Sequence, residues 1–130
     1  MSWRAGFCVT YRSISLRFAF AFSGGLWWAV DDLCMLFGIT ESPRVILVDL
    51  EPDDKAELQP YHTQVVNSAA LRPWVQLDEL EQFHAWIRDW LFPTFGDAFS
   101  ASTRDAAEAM AMLHRKGITA WALEDYDLPS

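Results

Sequence analysis

Between Ile14 and Phe22 the side chains alternate: Ile14, Leu16, Phe18, Phe20 and Phe22 against Ser15, Arg17, Ala19 and Ala21. Successive side chains of a strand point to opposite faces, so only an extended chain puts all five apolar groups on one side. The segment therefore commits the chain to a sheet with a buried face. Residues 6–11 read as a preceding strand. The Arg12-Ser13 link lacks the Gly or Asn of a favoured two-residue turn. Its sequence leaves two readings open, a looser turn or one bent strand.

After this pattern Ser23-Gly24-Gly25 interrupts the chain. Leu26, Val30, Leu33 and Phe37 then follow at helical spacing, and Gly38 sits where a helix-ending glycine belongs. A helix is expected over about 26–37. Arg44 to Leu50 (RVILVDL), bounded by Pro43 and Pro52, is apolar on both faces and reads as a buried central strand. Glu51-Pro-Asp-Asp-Lys is a loop. Residues 56–76 are the least readable: Val65-Val66 suits a short strand, 62–71 suits a helix stopped at Arg72-Pro73. Asp78 with Glu81 resembles a capping pair. Leu80, Phe83, Ile87 and Trp90 then form a helical stripe that Pro93 should end. Ser102 with Asp105 opens another helix in the same way, with Ala106, Met110 and Leu113 inward and Gly117 at its end. Ile118 to Leu123 reads as a strand.

The expected fold is α+β, a single domain over 1–130, with one mixed β-sheet of three to five strands packed with about three helices. At 130 residues and 52% hydrophobic, the chain can bury about two thirds of its extended surface and needs no metal or disulfide framework. Cys8 and Cys34 suit two small buried hydrophobes, although the sequence does not say whether they pair. The uncharged run from Phe18 to Val30 is too short to cross a bilayer and is closed by Asp31-Asp32. A cytoplasmic location and no membrane partner are expected.

Charge narrows the function. The net charge is −8, which argues against a nucleic-acid partner, since such a partner demands a basic footprint. The charge is also uneven. Residues 1–30 hold three arginines and no acid, whereas residues 31–60 hold eight acids and two bases. Glu51, Asp53, Asp54 and Glu57 form one acidic cluster, with Asp49 just before it. Glu124, Asp125, Tyr126 and Asp127 form a second, in which carboxylates would steer a basic partner and the tyrosine would anchor it. If 44–50 is a strand, Asp49 and Glu51 share one face at its carboxyl end, where a hard cation such as Mg²⁺ could bind. His62, His84 and His114 form no HxxxH or HExxH pair, and Glu81 with His84 gives a single E-x-x-H. No GxSxG, GxGxxG or GxxxxGK[ST] is present. No catalytic residue, metal site or cofactor is assigned. Seven tryptophans exceed what one core hides completely, because the indole is large and carries an N–H donor. Trp86, off the main stripe of its helix, is the one expected at an interface.

Glu51-Pro-Asp-Asp, Glu124-Asp-Tyr-Asp and the Trp-rich helix at 78–92 sit in a small acidic chain. In size, acidity and composition such a chain resembles the small bacterial immunity proteins that neutralise a cognate toxin. The resemblance implies a non-enzymatic inhibitor that fills a basic active-site cleft in place of phosphate. The basic partner would be the toxin enzyme. Two alternatives stand beside it: a structural or adaptor subunit assembling through a Trp-rich face, including as a homodimer, and a small metal-dependent enzyme using Asp49 and Glu51.

Overall fold

A computed structural model describes residues 3–59, 62–100 and 105–121. The alternating segment is β2 (Ile14–Ala21), paired antiparallel with β1 (Trp3–Tyr11). Tyr11 faces Ile14, so Arg12 and Ser13 form a two-residue turn, and both have positive φ, 50° and 67°. The turn is thus tight, of the kind that normally selects Asn-Gly, and its two ordinary residues carry backbone strain.

Two further strands follow from segments read differently in sequence. Ser23-Gly24-Gly25 leads into β3 (Leu26–Ala29), not into a helix, and α1 (Val30–Phe37) starts only after it. Gly38, at φ 63°, ends α1 in the left-handed conformation that glycine tolerates best, and the amide of Ile39 donates to the carbonyl of Cys34 at 2.9 Å. Residues 56–76 hold β4 (Lys55–Leu58), β5 (Thr63–Val66) and a 3₁₀ turn (Ser68–Leu71). The Val65-Val66 reading is therefore the right one for that stretch. With β6 (Thr119–Trp121) the sheet among the described residues has six strands in the order β4-β5-β3-β2-β1-β6. Every neighbouring pair is antiparallel, so the class is α+β but the sheet is neither mixed nor limited to five strands.

The expected central strand at 44–50 is instead α2 (Pro43–Asp49). Ser42 caps it, its hydroxyl accepting from the amide of Val45 at 3.4 Å, and Pro43 occupies the first turn, where its missing N–H costs nothing. A short apolar run is ambiguous by periodicity alone, and here the flanking cap decides. Only Ile46 and Leu50, four apart, are buried.

The second long helix also departs from expectation. α3 (Leu77–Trp86) continues through a π turn (Ile87–Leu91) into α4 (Phe92–Ala98), so Pro93 does not end it. In the wider turn the amide of Phe92 donates to the carbonyl of Ile87, five residues back. The Thr94 hydroxyl caps the carbonyl of Trp90 at 2.6 Å. The extra residue accommodates a proline that lacks its own donor. α5 (Ala106–Arg115) is capped by Asp105, whose carboxylate accepts from the amide of Glu108 at 2.8 Å. Ser102 lies outside the described residues. Four helical rods result among the described residues: α1, α2, the joined α3–α4 and α5.

The helices pack on one face of the sheet. Phe7, Phe18, Trp28 and Val66 form a rung across four strands on that face. The ring of Phe83 in α3 meets Trp28 at 4.9 Å and the ring of Phe95 in α4 meets Phe7 at 4.8 Å, edge to face in both cases. Phe83 has no solvent exposure, so truncation to alanine would cost about 3–5 kcal/mol. The opposite face carries a smaller cluster drawn from strands alone, with Trp3 and Trp27 edge to face over Ala19, Ala21, Leu58 and Val65. No helix of the described residues is long and apolar enough to cross a membrane.

Candidate functional site

The acidic cluster begins at the end of α2. Since Ile46 and Leu50 face inward, Val45, Val48 and Asp49 share the outward face, three and four residues apart. Val45 is 46% exposed and Val48 75%, large values for branched aliphatic side chains on a helix. The chain then enters a 3₁₀ turn (Pro52–Asp54) that presents Glu51 and Asp53 to solvent with Asp54 half-buried. Two backbone bonds hold the turn: the amide of Asp54 donates to Glu51 at 2.9 Å, and that of Asn67 donates to Asp54 at 3.0 Å. Lys55, the nearest cation in sequence, turns its ammonium onto the carbonyl of Leu47 at 2.5 Å. It thereby sits at the negative end of α2. Among the described residues the carboxylates of Asp49, Glu51, Asp53 and Asp54 make no ion pair or side-chain hydrogen bond. The surface is thus an apolar pair bordered by unpaired negative charge.

The other predicted positions do not join this face as one patch. Glu57 lies further along β4, where its carboxylate accepts from the His62 ring and from Gln59 at 3.3 Å. The His62 bond holds its pKa below the ordinary carboxylate value. Trp86 is half-buried against the tip of the first hairpin, its ring 4.5 Å from Tyr11 and stacked on Trp90 at 5.5 Å. β1 and β4 are four strand spacings apart, about 19 Å, so Trp86 and the acidic turn stand on different parts of the molecule. Glu124, Asp125, Tyr126 and Asp127 lie outside the described residues. Among the seven tryptophans, Trp3, Trp27 and Trp28 are buried and Trp74, Trp86, Trp90 and Trp121 are half-buried.

Asp49 and Glu51 do not share a strand face, because the strand that would align them is α2. Among the described residues no three His, Cys, Asp or Glu side chains are grouped as metal ligands would be. One polar pair escaped the sequence reading. Ser68, the buried first residue of its 3₁₀ turn, lies 2.9 Å from Nε2 of His84 on α3. Burial lowers the His84 pKa, and the nearby Arg72 lowers it further, which favours the neutral ring. The amide of Ala69 is engaged by the Asn67 side chain and that of Ala70 by the Asn67 carbonyl. No oxyanion-binding donors therefore follow Ser68, and the pair serves to tie the turn to α3. Cys8 and Cys34 are free thiols, and burial raises the pKa of each. For Cys8 this outweighs the opposing effect of Arg17.

The exposed Val45 and Val48 beside the acidic turn were not legible as surface residues in the sequence. Their signal was an apolar run longer than one inward stripe of a short helix can absorb. Compared with known proteins, the chain matches no family model, no curated protein and no solved structure.

Proposed function

We propose that this chain is a non-enzymatic acidic binding protein that inhibits a basic enzyme by occupying its cleft, as an immunity protein does for its cognate toxin. The observation that carries this reading is the outward face of α2. Val45 and Val48 supply an apolar centre, and Asp49, Glu51, Asp53 and Asp54 supply an unpaired negative border. An interface of this kind gains affinity from the desolvated centre and speed and selectivity from its charge. Carboxylates at such a border would stand where an enzyme cleft otherwise holds phosphate. The backbone bonds that hold the 3₁₀ turn support the reading, since pre-organised charge loses little entropy on docking. Trp86 and the C-terminal acids are not needed for this face. Assembly through the indoles has weaker support, because none of the described indoles is among the exposed hydrophobic residues.

The test uses the partner captured from the native cell and then purified. Association rates are measured against salt for the wild type, for a Asp49→Lys/Glu51→Lys/Asp53→Lys variant and for Val48→Asp. The expected result is a wild-type rate that falls as salt rises. Charge reversal should lower that rate at least about tenfold at low salt and flatten the salt dependence. Val48→Asp should mainly raise the dissociation rate. Unchanged rates in both variants would reject the α2 face as the docking surface.

A further inference from the structure

We propose that a second site, the phenylalanine-lined cleft between the start of β1 and the end of α4, binds a medium-chain carboxylate, with the alkyl tail among the rings and the carboxylate on Arg4. The cleft has a volume of about 480 Å³ and is lined by Arg4, Phe7, Phe20, Phe95, Gly96 and Phe99. That volume falls within the range of small-molecule sites, about 300–1,000 Å³. The cleft shares no residue with the α2 face and does not depend on the function proposed for it.

Three features make it a site and not a packing fault. The first is its open wall. Phe99 is 54% exposed although its ring lies parallel to that of Phe95, 6.3 Å away, and a Cβ on Gly96 would meet nothing within 4 Å. The second is the placement of the cation. The register of β1 against β2 shifts between Trp3, opposite Ala21, and Ala5, opposite Phe20, which leaves Arg4 as an inserted residue. Such bulges re-aim a side chain, and here the Arg4 guanidinium lies 5.7 Å from the ring centre of Phe22, itself 48% exposed. The third is charge. Residues 1–30 contain three arginines. Arg12 donates to Gln82 and Arg17 is bound by Asp32, whereas Arg4 has no oxygen acceptor among the described residues. A planar guanidinium beside an apolar cleft matches a carboxylate at the end of a hydrocarbon chain, because it can donate two parallel hydrogen bonds to it.

The test titrates the full chain with octanoate, octanol and octylammonium while following the amide NMR signals of Gly96 and Phe99. Octanoate should shift both signals and bind about tenfold more tightly than octanol, with octylammonium weaker still. Arg4→Gln should bring octanoate to the affinity of octanol. Gly96→Leu, which fills the cleft from a helix position with room for a side chain, should abolish binding of all three while circular dichroism remains that of the wild type. Three results would each overturn the proposal: no shift at Gly96 and Phe99, equal affinity for octanoate and octanol, or octanoate binding retained by folded Gly96→Leu.

Discussion

Asp32, in the first turn of α1, takes the place of a missing strand for Arg17. Its Oδ2 accepts the backbone amide of Arg17 at 2.8 Å and Nε at 2.9 Å, and its Oδ1 accepts Nη2 at 3.0 Å. The β2–β3 ladder ends at Phe18 opposite Trp28, so the next residue of β2, Arg17, lacks a strand partner on that side. The carboxylate satisfies the Arg17 amide and fixes the guanidinium, which also lies 5.7 Å from the ring centre of Trp121. The bond to Asp32 is the main reason that the Arg17 pKa is raised.

Asp32→Ala should therefore destabilise the fold by about 2 kcal/mol, since it removes a charged acceptor from three donors, partly offset by solvent at Arg17. Asp32→Asn, which can still accept the amide, should lose about half as much. Urea denaturation measures both. A loss below about 0.5 kcal/mol for Asp32→Ala would show that water replaces the carboxylate at that edge.

The Arg12-Ser13 turn gives a prediction of opposite sign. Ser13 sits at φ 67°, a conformation that glycine adopts without strain. Ser13→Gly should stabilise the chain by about 0.5–1 kcal/mol, the relief of strain exceeding the added freedom of the unfolded chain. Thermal denaturation should register a higher midpoint. A lower midpoint would mean that the serine itself contributes to the hairpin.

His84 makes stability depend on pH. Its folded-state pKa is lowered, by burial first and Arg72 second. The folded protein therefore binds this proton less readily than the unfolded chain does. The resulting stability is complete above the unfolded histidine pKa of about 6.5 and is lost as pH falls from there towards the folded value. Wild type should weaken in urea titrations as pH falls below about 6.5, and His84→Gln should show a shallower decline. An identical decline in the variant would place the titrating group elsewhere.

The two faces of α2 should respond differently to mutation. Ile46→Ala should cost about 2–4 kcal/mol because Ile46 has no exposure, while Val48→Ser should change stability by no more than about 0.5 kcal/mol. Comparable losses at both positions would fit the buried strand that the RVILVDL run suggests. That run also marks where the sequence is hard to read. The alternation along β2 was legible because a strand's period of two has no helical counterpart, although Phe22 lies just past the strand's end. The ends of α1 and α5 were legible through Gly38 and Gly117. α2 was not, because seven apolar-rich residues fit a strand and a helix equally well until Ser42 and Pro43 are weighed as a cap. Pro93 misled for a related reason: the π turn that accommodates it leaves no mark in the periodicity.

For the site, the carboxylates of Glu51, Asp53 and Asp54 were evident from the sequence as part of a loop, although Asp54 is half-buried. Their apolar neighbours were not, since Val45 and Val48 reach the surface only if the segment is helical. Trp86 was selected for its position off the helical stripe, but the hairpin tip at Tyr11 covers one side of it. That cover comes from residues far away in sequence, which no local pattern could reveal.

Hydrogen–deuterium exchange on a complex with the basic partner proposed above, once purified, tests the proposed docking face most directly. Residues 43–54 should gain protection on binding while the hairpin tip around Tyr11 and Trp86 stays unchanged. Protection confined to the Tyr11–Trp86 region, with residues 43–54 exchanging as in the free chain, would contradict the assignment of α2 and its acidic turn as the inhibitory surface.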